Sequence, residues 1–216
     1  MIAAGCDVST QSTGWSIVEK TDQTLKIIDK GLIRGEGSMS TIQRLYLLGN
    51  ELKKVFDKYN PDEIGIEESL FMRGPTILRT LSRFSGVAIY QAYAHNKKEP
   101  LLFGPPEWRK IVGIAGNCSK AEVQVSVCER FGLLTQKQIT TYQDCFKKIV
   151  LDVSNAKAVA KQQKTTKKTL AKQIKEIEKA YDKISTDIYS DSGINNDIAD
   201  SISIALAVLF KKNEVR

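Results

Sequence analysis

Hydrophobic and polar positions change rhythm along this chain, and the changes mark its parts. Residues 1–8, 14–19 and 24–33 are short runs rich in Ile, Val, Leu and Trp, separated by Ser9-Thr10-Gln11-Ser12-Thr13 and Lys20-Thr21-Asp22-Gln23. Strand formers punctuated by turn chemistry predict an antiparallel meander of three strands. The period then lengthens: Ile42, Leu45, Leu48, Leu52, Val55 and Phe56 recur at helical spacing behind Ser40 and Gln43, a candidate capping box, and Asn60-Pro61 ends the helix. Residues 63–67 return as a short central strand, because Ile64, Gly65 and Ile66 leave little that wants water.

A second helix over 76–94 carries Ile77, Leu81, Phe84, Val87, Ala88 and Tyr90, a stripe wide enough to cover a sheet or a second copy of itself. Residues 101–103 read as an edge strand and 107–112 as a short helix entered through proline. A further helix runs from Ser119 through Val123, Val127 and Phe131, and 196–212 form a last, largely apolar one. This order describes an α/β fold: a five-stranded mixed sheet flanked by helices, with the first strand central beside the strand of Glu67.

Residues 134–190 differ in kind. Between 157 and 183 stand nine lysines and three acids, with a thin helical stripe of Val159, Leu170, Ile174, Ile177, Tyr181 and Ile184. The expectation is a single domain over 1–216 with 134–190 as a basic helical insertion, which the length accommodates. A lysine run is ordinarily a solvated face. Here it directly precedes an acidic pair, which favours a nucleic-acid arm with Lys164, Lys167 and Lys168 as candidate contacts.

The net charge of +7 and pI near 9.1 point the same way, since excess lysine gains by displacing counterions from a polyanion. No apolar run reaches bilayer length, and no basic region followed by an apolar segment and cleavage site opens the chain. An intracellular, cytoplasmic protein is expected, in the host cytoplasm if the chain is viral. Cys6, Cys118, Cys128 and Cys145 form no C-x-x-C pair and read as reduced thiols instead of a zinc site.

Candidate chemistry rests on acids. Asp7 ends the apolar run 1–6, Glu67 ends Ile64-Gly65-Ile66, and Asp197 and Asp200 share one face at the start of the last helix. Singly each has an ordinary reading: a turn acid, a surface carboxylate at Glu67 or Glu68, a helix-start acid meeting the dipole. Jointly they point to four carboxylates around cations, since such a group tolerates ionisation only when neutralised. Magnesium suits an all-oxygen set, and two such ions would support in-line hydrolysis of a phosphodiester. Manganese is the expected substitute. Competing chemistries lack parts: His95 is the only histidine, and neither a P-loop nor a dinucleotide fingerprint is present, so no nucleotide cofactor is expected.

Five segments carry a family resemblance: Gly5-Cys6-Asp7-Val8-Ser9 with Thr13-Gly14-Trp15, Pro61-Asp62 leading to Ile66-Glu67, Gly86-Val87-Ala88-Ile89, Val112-Gly113-Ile114, and Asn196-Asp197-Ile198-Ala199-Asp200-Ser201. In this order they resemble the RuvC family of Holliday junction resolvases, within the RNase H-like superfamily. The resemblance implies a homodimer that binds branched DNA, above all four-way junctions, and nicks them symmetrically with magnesium. It implies that Asp7, Glu67, Asp197 and Asp200 are metal ligands and that Lys120 lies near the scissile phosphate, an exposed lysine being the ordinary alternative. Counting from Pro61-Asp62 selects Glu67, whereas the downstream aromatic would select Glu68; Glu67 is taken. Phe71, with Leu70 as the alternative, is either a wedge that unstacks bases or, for Phe71, core packing. Arg73, Arg109 and Lys110 complete the candidate DNA contacts. Other branched DNA, RNA–DNA hybrids and a non-catalytic junction-binding role stay open. The long insertion suits a phage or other mobile genome.

Overall fold

The computed structural model describes residues 1–68, 74–116, 118–164 and 166–213. Strands β1 (Ile2–Asp7), β2 (Ser12–Lys20), β3 (Leu25–Arg34), β4 (Glu63–Glu67) and β5 (Leu101–Phe103) form one mixed sheet in the order β3-β2-β1-β4-β5. The meander is antiparallel, while β1 runs parallel to β4 and β4 to β5. That is the expected architecture, with β1 at its centre. Burial explains why β1 and β4 lack polar residues until their ends: neither strand has a solvated face.

Successive side chains alternate between the faces. On one face Ala4, Cys6, Ile17, Ile64 and Ile66 join a core with Leu48, Leu52 and Phe56 of α1 (Thr41–Tyr59) and Phe84, Ala88 and Ala92 of α2 (Pro75–Asn96). The capping box is present, with Ser40 Oγ accepting from Gln43 N and Gln43 Oε1 accepting from Ser40 N. Three stripe residues are exposed, contrary to the sequence pattern: Ile42, Ile77 and Tyr90. Tyr90 lies two positions past Ala88, about 200° around the helix, and Ile77 shares the face of Phe84 but sits two turns before the first buried position.

The other face is covered by α7 (Asn196–Asn213), whose residues from Ala199 to Leu209 are buried. Helix α3 (Pro105–Ile111) follows β5 and is entered through proline as expected.

The chain divides into two compact units, Met1–Cys118 with Asp197–Arg216, and Ser119–Asn196. The second holds α4 (Lys120–Arg130), α5 (Gln136–Gln162) and α6 (Lys167–Ser192). Helices α5 and α6 form an antiparallel hairpin, with the Phe146 and Tyr181 rings stacked at 6.3 Å and Gln138 and Tyr142 both donating to Asp191. The lysine-rich stripe is therefore two helices: Val159 belongs to α5, whereas Leu170 to Ile184 belong to α6 behind the N-cap of Thr166. Gln124, fully buried on α4, donates to the carbonyls of Ser185 at 3.3 Å and Ile194 at 2.9 Å, which fixes α4 against the end of α6. Among the described residues no single helix is long and apolar enough to cross a membrane.

Candidate active site

Asp7 is the last residue of β1 and Glu67 the last of β4. The strands are parallel and pair Cys6 with Ile66, so both acids leave the sheet at its C-terminal edge, where open α/β sheets carry their sites. Counting by twos, Asp7 shares the face of Gly5, and Glu67 that of Gly65. It is the face of α7. A Cβ on Gly5 would lie 2.0 Å from the Ser201 carbonyl oxygen and 2.6 Å from the Ala205 nitrogen, and one on Gly65 would lie 2.5 Å from Val208 Cγ2.

Gly14 pairs directly with Asp7, and a Cβ there would lie 2.1 Å from the carbonyl oxygen of Asp197. Three glycines thus let α7 rest on the backbone of β2, β1 and β4, closer than any side chain would permit. The first turn of α7 is set against the Asp7–Gly14 pair. Asp197 is partly buried there, in the turn where the helix dipole favours a carboxylate, and Asp200, one turn on, is only 5% exposed. All four acids therefore occupy one face at one edge of the sheet. Among the described residues no group of three or more His, Cys, Asp or Glu side chains is already gathered as a metal ion would hold them. What the acids share is position.

Trp108, fully buried on α3, donates from Nε1 to Glu67 Oε2 at 2.8 Å. A buried indole N–H needs an acceptor, and here it orients a carboxylate. The sequence reading passed over this residue. The signal was a tryptophan five positions beyond Phe103, which pairs with Glu67 in β5. Glu68 leaves the strand and is exposed, its backbone N–H donating to the Phe103 carbonyl at 2.8 Å. Register thus puts Glu67, not Glu68, on the face of α7.

Beyond Asp7 the chain turns on Ser9, whose Oγ donates to the Ser12 carbonyl at 2.8 Å and accepts from Ser12 N at 3.1 Å. Cys6 faces the opposite core. Burial, and then the charge of Asp7, push its thiol up to about 12, so it stays protonated and inert. His95 belongs to the other end of the sheet: its neighbour Asn96 donates to the carbonyl of Asp62 at the start of β4.

The basic candidates are carried by other elements. Lys120 is the exposed first residue of α4, behind the N-cap Ser119, in the second unit. Lys164 lies in the hairpin turn, and Lys167 and Lys168 open α6, all exposed. On α3, Lys110 is exposed, while Arg109 donates from Nη1 to the Gly116 carbonyl at 2.9 Å and lies 5.1 Å from the Trp108 ring. Leu70, Phe71 and Arg73 lie outside the described residues.

Known proteins resemble this chain in sequence and in fold. The family model described as crossover junction endodeoxyribonuclease RuvC matches residues 3–160. The RuvC of Dictyoglomus thermophilum is 29% identical over 154 residues, which covers 71% of this chain and 95% of that protein. The RuvC of Alkaliphilus metalliredigens is 32% identical over 124 residues, 57% of this chain and 75% of that one. Among solved structures, Thermus thermophilus RuvC in complex with Holliday junction substrate superposes with a TM-score of 0.65 at 15% identity, over 100% of this chain and 96% of that chain. At such identity the likeness speaks for the fold alone. Taken with the match over residues 3–160, it leaves a plain conclusion: the chain belongs to the RuvC family of crossover junction endodeoxyribonucleases.

Proposed function

We propose that this endonuclease resolves four-way DNA junctions as a homodimer, with Asp7, Glu67, Asp197 and Asp200 of each subunit holding two magnesium ions that manganese can replace. The observation that carries the reading is the glycine-lined seat of α7, which brings Asp197 against the Asp7–Gly14 pair at the edge that also carries Glu67. The donor set fits the ion. It offers carboxylate oxygens without histidine or thiolate, and a hard divalent cation that keeps part of its water shell prefers such ligands. When bound, such ions supply Lewis acidity toward the scissile phosphate and make water a nucleophile at neutral pH.

The chain's own residues do the rest. Asp7 and Glu67 stand on paired strand ends that cannot drift independently, and Trp108 holds one Glu67 oxygen. Asp200 is sequestered from water, where an ionised carboxylate gains strongly from a counter-charge. Lys120 is the candidate partner of the scissile phosphate, and Phe71, Arg73, Arg109 and Lys110 are candidate contacts to the branch. Two-fold symmetry suits a substrate that presents two equivalent strands. The reaction belongs in the cytoplasm, or the host's if the chain is viral. The relatives named as crossover junction endodeoxyribonucleases, and the one solved with a Holliday junction, support this choice of substrate.

The test is cleavage of labelled four-way, flap, Y-shaped and RNA–DNA hybrid substrates across a magnesium titration. Paired symmetric nicks in the junction are expected, and Asp7→Asn is expected to lower their rate about a thousandfold or more, since metal stabilisation is worth several kcal/mol. Cleavage by Asp7→Asn at the wild-type rate would remove the proposed site. Faster cleavage of flap or hybrid than of junction would replace the substrate.

A further inference from the structure

The α5–α6 hairpin is electrically divided along its length. Residues 157–175, spanning the end of α5, the turn and the start of α6, contain seven lysines and no Asp or Glu. Acids return only beyond them, at Glu176, Glu178, Asp182, Asp187 and Asp191 on α6. All seven lysines are exposed, and among the described residues none is in an ion pair. Elsewhere lysines do pair, as Lys53 with Asp57, Lys54 with Glu51 and, nearer the middle of α5, Lys147 with Asp144.

Fold stability does not account for this. Lys167 and Lys168 occupy the first turn of α6, where the helix dipole favours acids. Lys157 with Lys161, and Lys168 with Lys172, are like charges four residues apart on one helix face, which repel. Lys164 sits at φ 50°, a left-handed position that suits Gly or Asn better. Each choice opposes the local preference, and one external polyanion would offset the like-charge repulsion and the unfavourable helix-end charge together.

Composition narrows that polyanion. The segment 157–175 contains no aromatic residue and no arginine. It therefore has no ring on which an unpaired base could stack and no planar fork for reading guanine. Ammonium groups on flexible stems contact phosphates and carry no sequence information. We infer that the seven lysines at the turn end of the hairpin, from Lys157 to Lys175, form a sequence-independent binding surface for the phosphate backbone of duplex DNA. With the junction-resolvase reading, on which the choice of DNA rests, the duplex is an arm of the branched substrate.

The experiment measures equilibrium binding of the full-length protein to a four-way junction without divalent metal, across a salt series. Lys164→Gln/Lys167→Gln/Lys168→Gln is expected to weaken binding and to flatten the slope of log K against log salt by about 2.7, if each lysine neutralises one phosphate at roughly 0.9 per contact. The same sites changed to Arg are expected to keep the wild-type slope, and Lys53→Gln/Lys54→Gln/Lys58→Gln on α1 to leave it unchanged. The loss is expected to be equal on junctions of different arm sequence. An unchanged slope in the first variant, a loss confined to one sequence, or equal dependence of binding to anionic vesicles on these lysines would each overturn the inference. Since no metal is present, a flattened slope in a protein that never cleaves junctions would uphold the hairpin surface and reject the resolvase reading.

Discussion

The sheet edge and the hairpin turn both concentrate charge, and they do so in opposite ways. At the sheet edge the charge is negative and is carried on strand ends and on a helix seated directly on glycine backbone, with Asp200 nearly excluded from water. At the hairpin turn it is positive, exposed, unpaired among the described residues and carried on long stems. The difference follows from the task each arrangement suits. Phosphodiester chemistry loses rate steeply when a group moves by an ångström. Attraction to a polyanion depends on how many charges are presented and little on where each one lies. The sheet edge should therefore be intolerant of a single methyl group and indifferent to salt, and the hairpin the reverse.

The sharpest test of that contrast places a methyl group at Gly14. Its Cβ would meet the Asp197 carbonyl oxygen at 2.1 Å, where ordinary contact begins at 3.4 Å, so the first turn of α7 must retreat by about an ångström. Gly14→Ala is expected to lower the cleavage rate about a hundredfold. Junction affinity and its salt slope, measured without metal, are expected to stay at the wild-type value. A variant that cleaves normally would show that the seat of α7 does not set the position of Asp197. One that binds with a flattened slope would dissolve the contrast itself.

A smaller effect is expected from Trp108→Phe. The substitution keeps an aromatic ring in the core and removes the one N–H that Trp108 gives to Glu67 Oε2. Groups that orient a metal ligand are worth about 10- to 100-fold in metal affinity or activity. The magnesium concentration for half-maximal cleavage is expected to rise about tenfold, with most of the rate recovered at saturating magnesium. A loss that magnesium does not restore would make Trp108 a purely structural residue.

Much of the sheet edge was legible in the sequence because its signals are local. Asp7 and Glu67 each end an apolar run, and the strand order that makes them neighbours follows from a meander, a helix and a returning strand. The capping box at Ser40 likewise needs only three residues of sequence separation. What escaped depends on contacts distant in the chain. Gly5, Gly14 and Gly65 look like ordinary strand glycines until α7 is laid across them, and Trp108 reads as core until its N–H finds Glu67. That the basic helical insertion is built of two helices was hidden for a related reason. Its thin stripe runs on through the turn, and only the N-cap at Thr166 shows that a second helix begins there.

The smallest expected effect, that of Glu68→Gln, separates two adjacent carboxylates. Glu67 ends β4 with the parity of Gly65, on the face of α7, and accepts from Trp108; Glu68 lies past the strand end and is exposed. If position confers function at the sheet edge, identical chemistry at the two sites should give unequal results. Glu67→Gln is expected to remove most cleavage, whereas Glu68→Gln should stay within about twofold and, as a surface substitution, move stability by about 0.5 kcal/mol or less. Rates measured on one junction at saturating magnesium decide the matter. Equal losses at the two positions would mean that strand register does not choose the ligand. A larger loss at Glu68 would move the site off the face of α7, and the distinction between a positioned edge and a merely charged hairpin would fail with it.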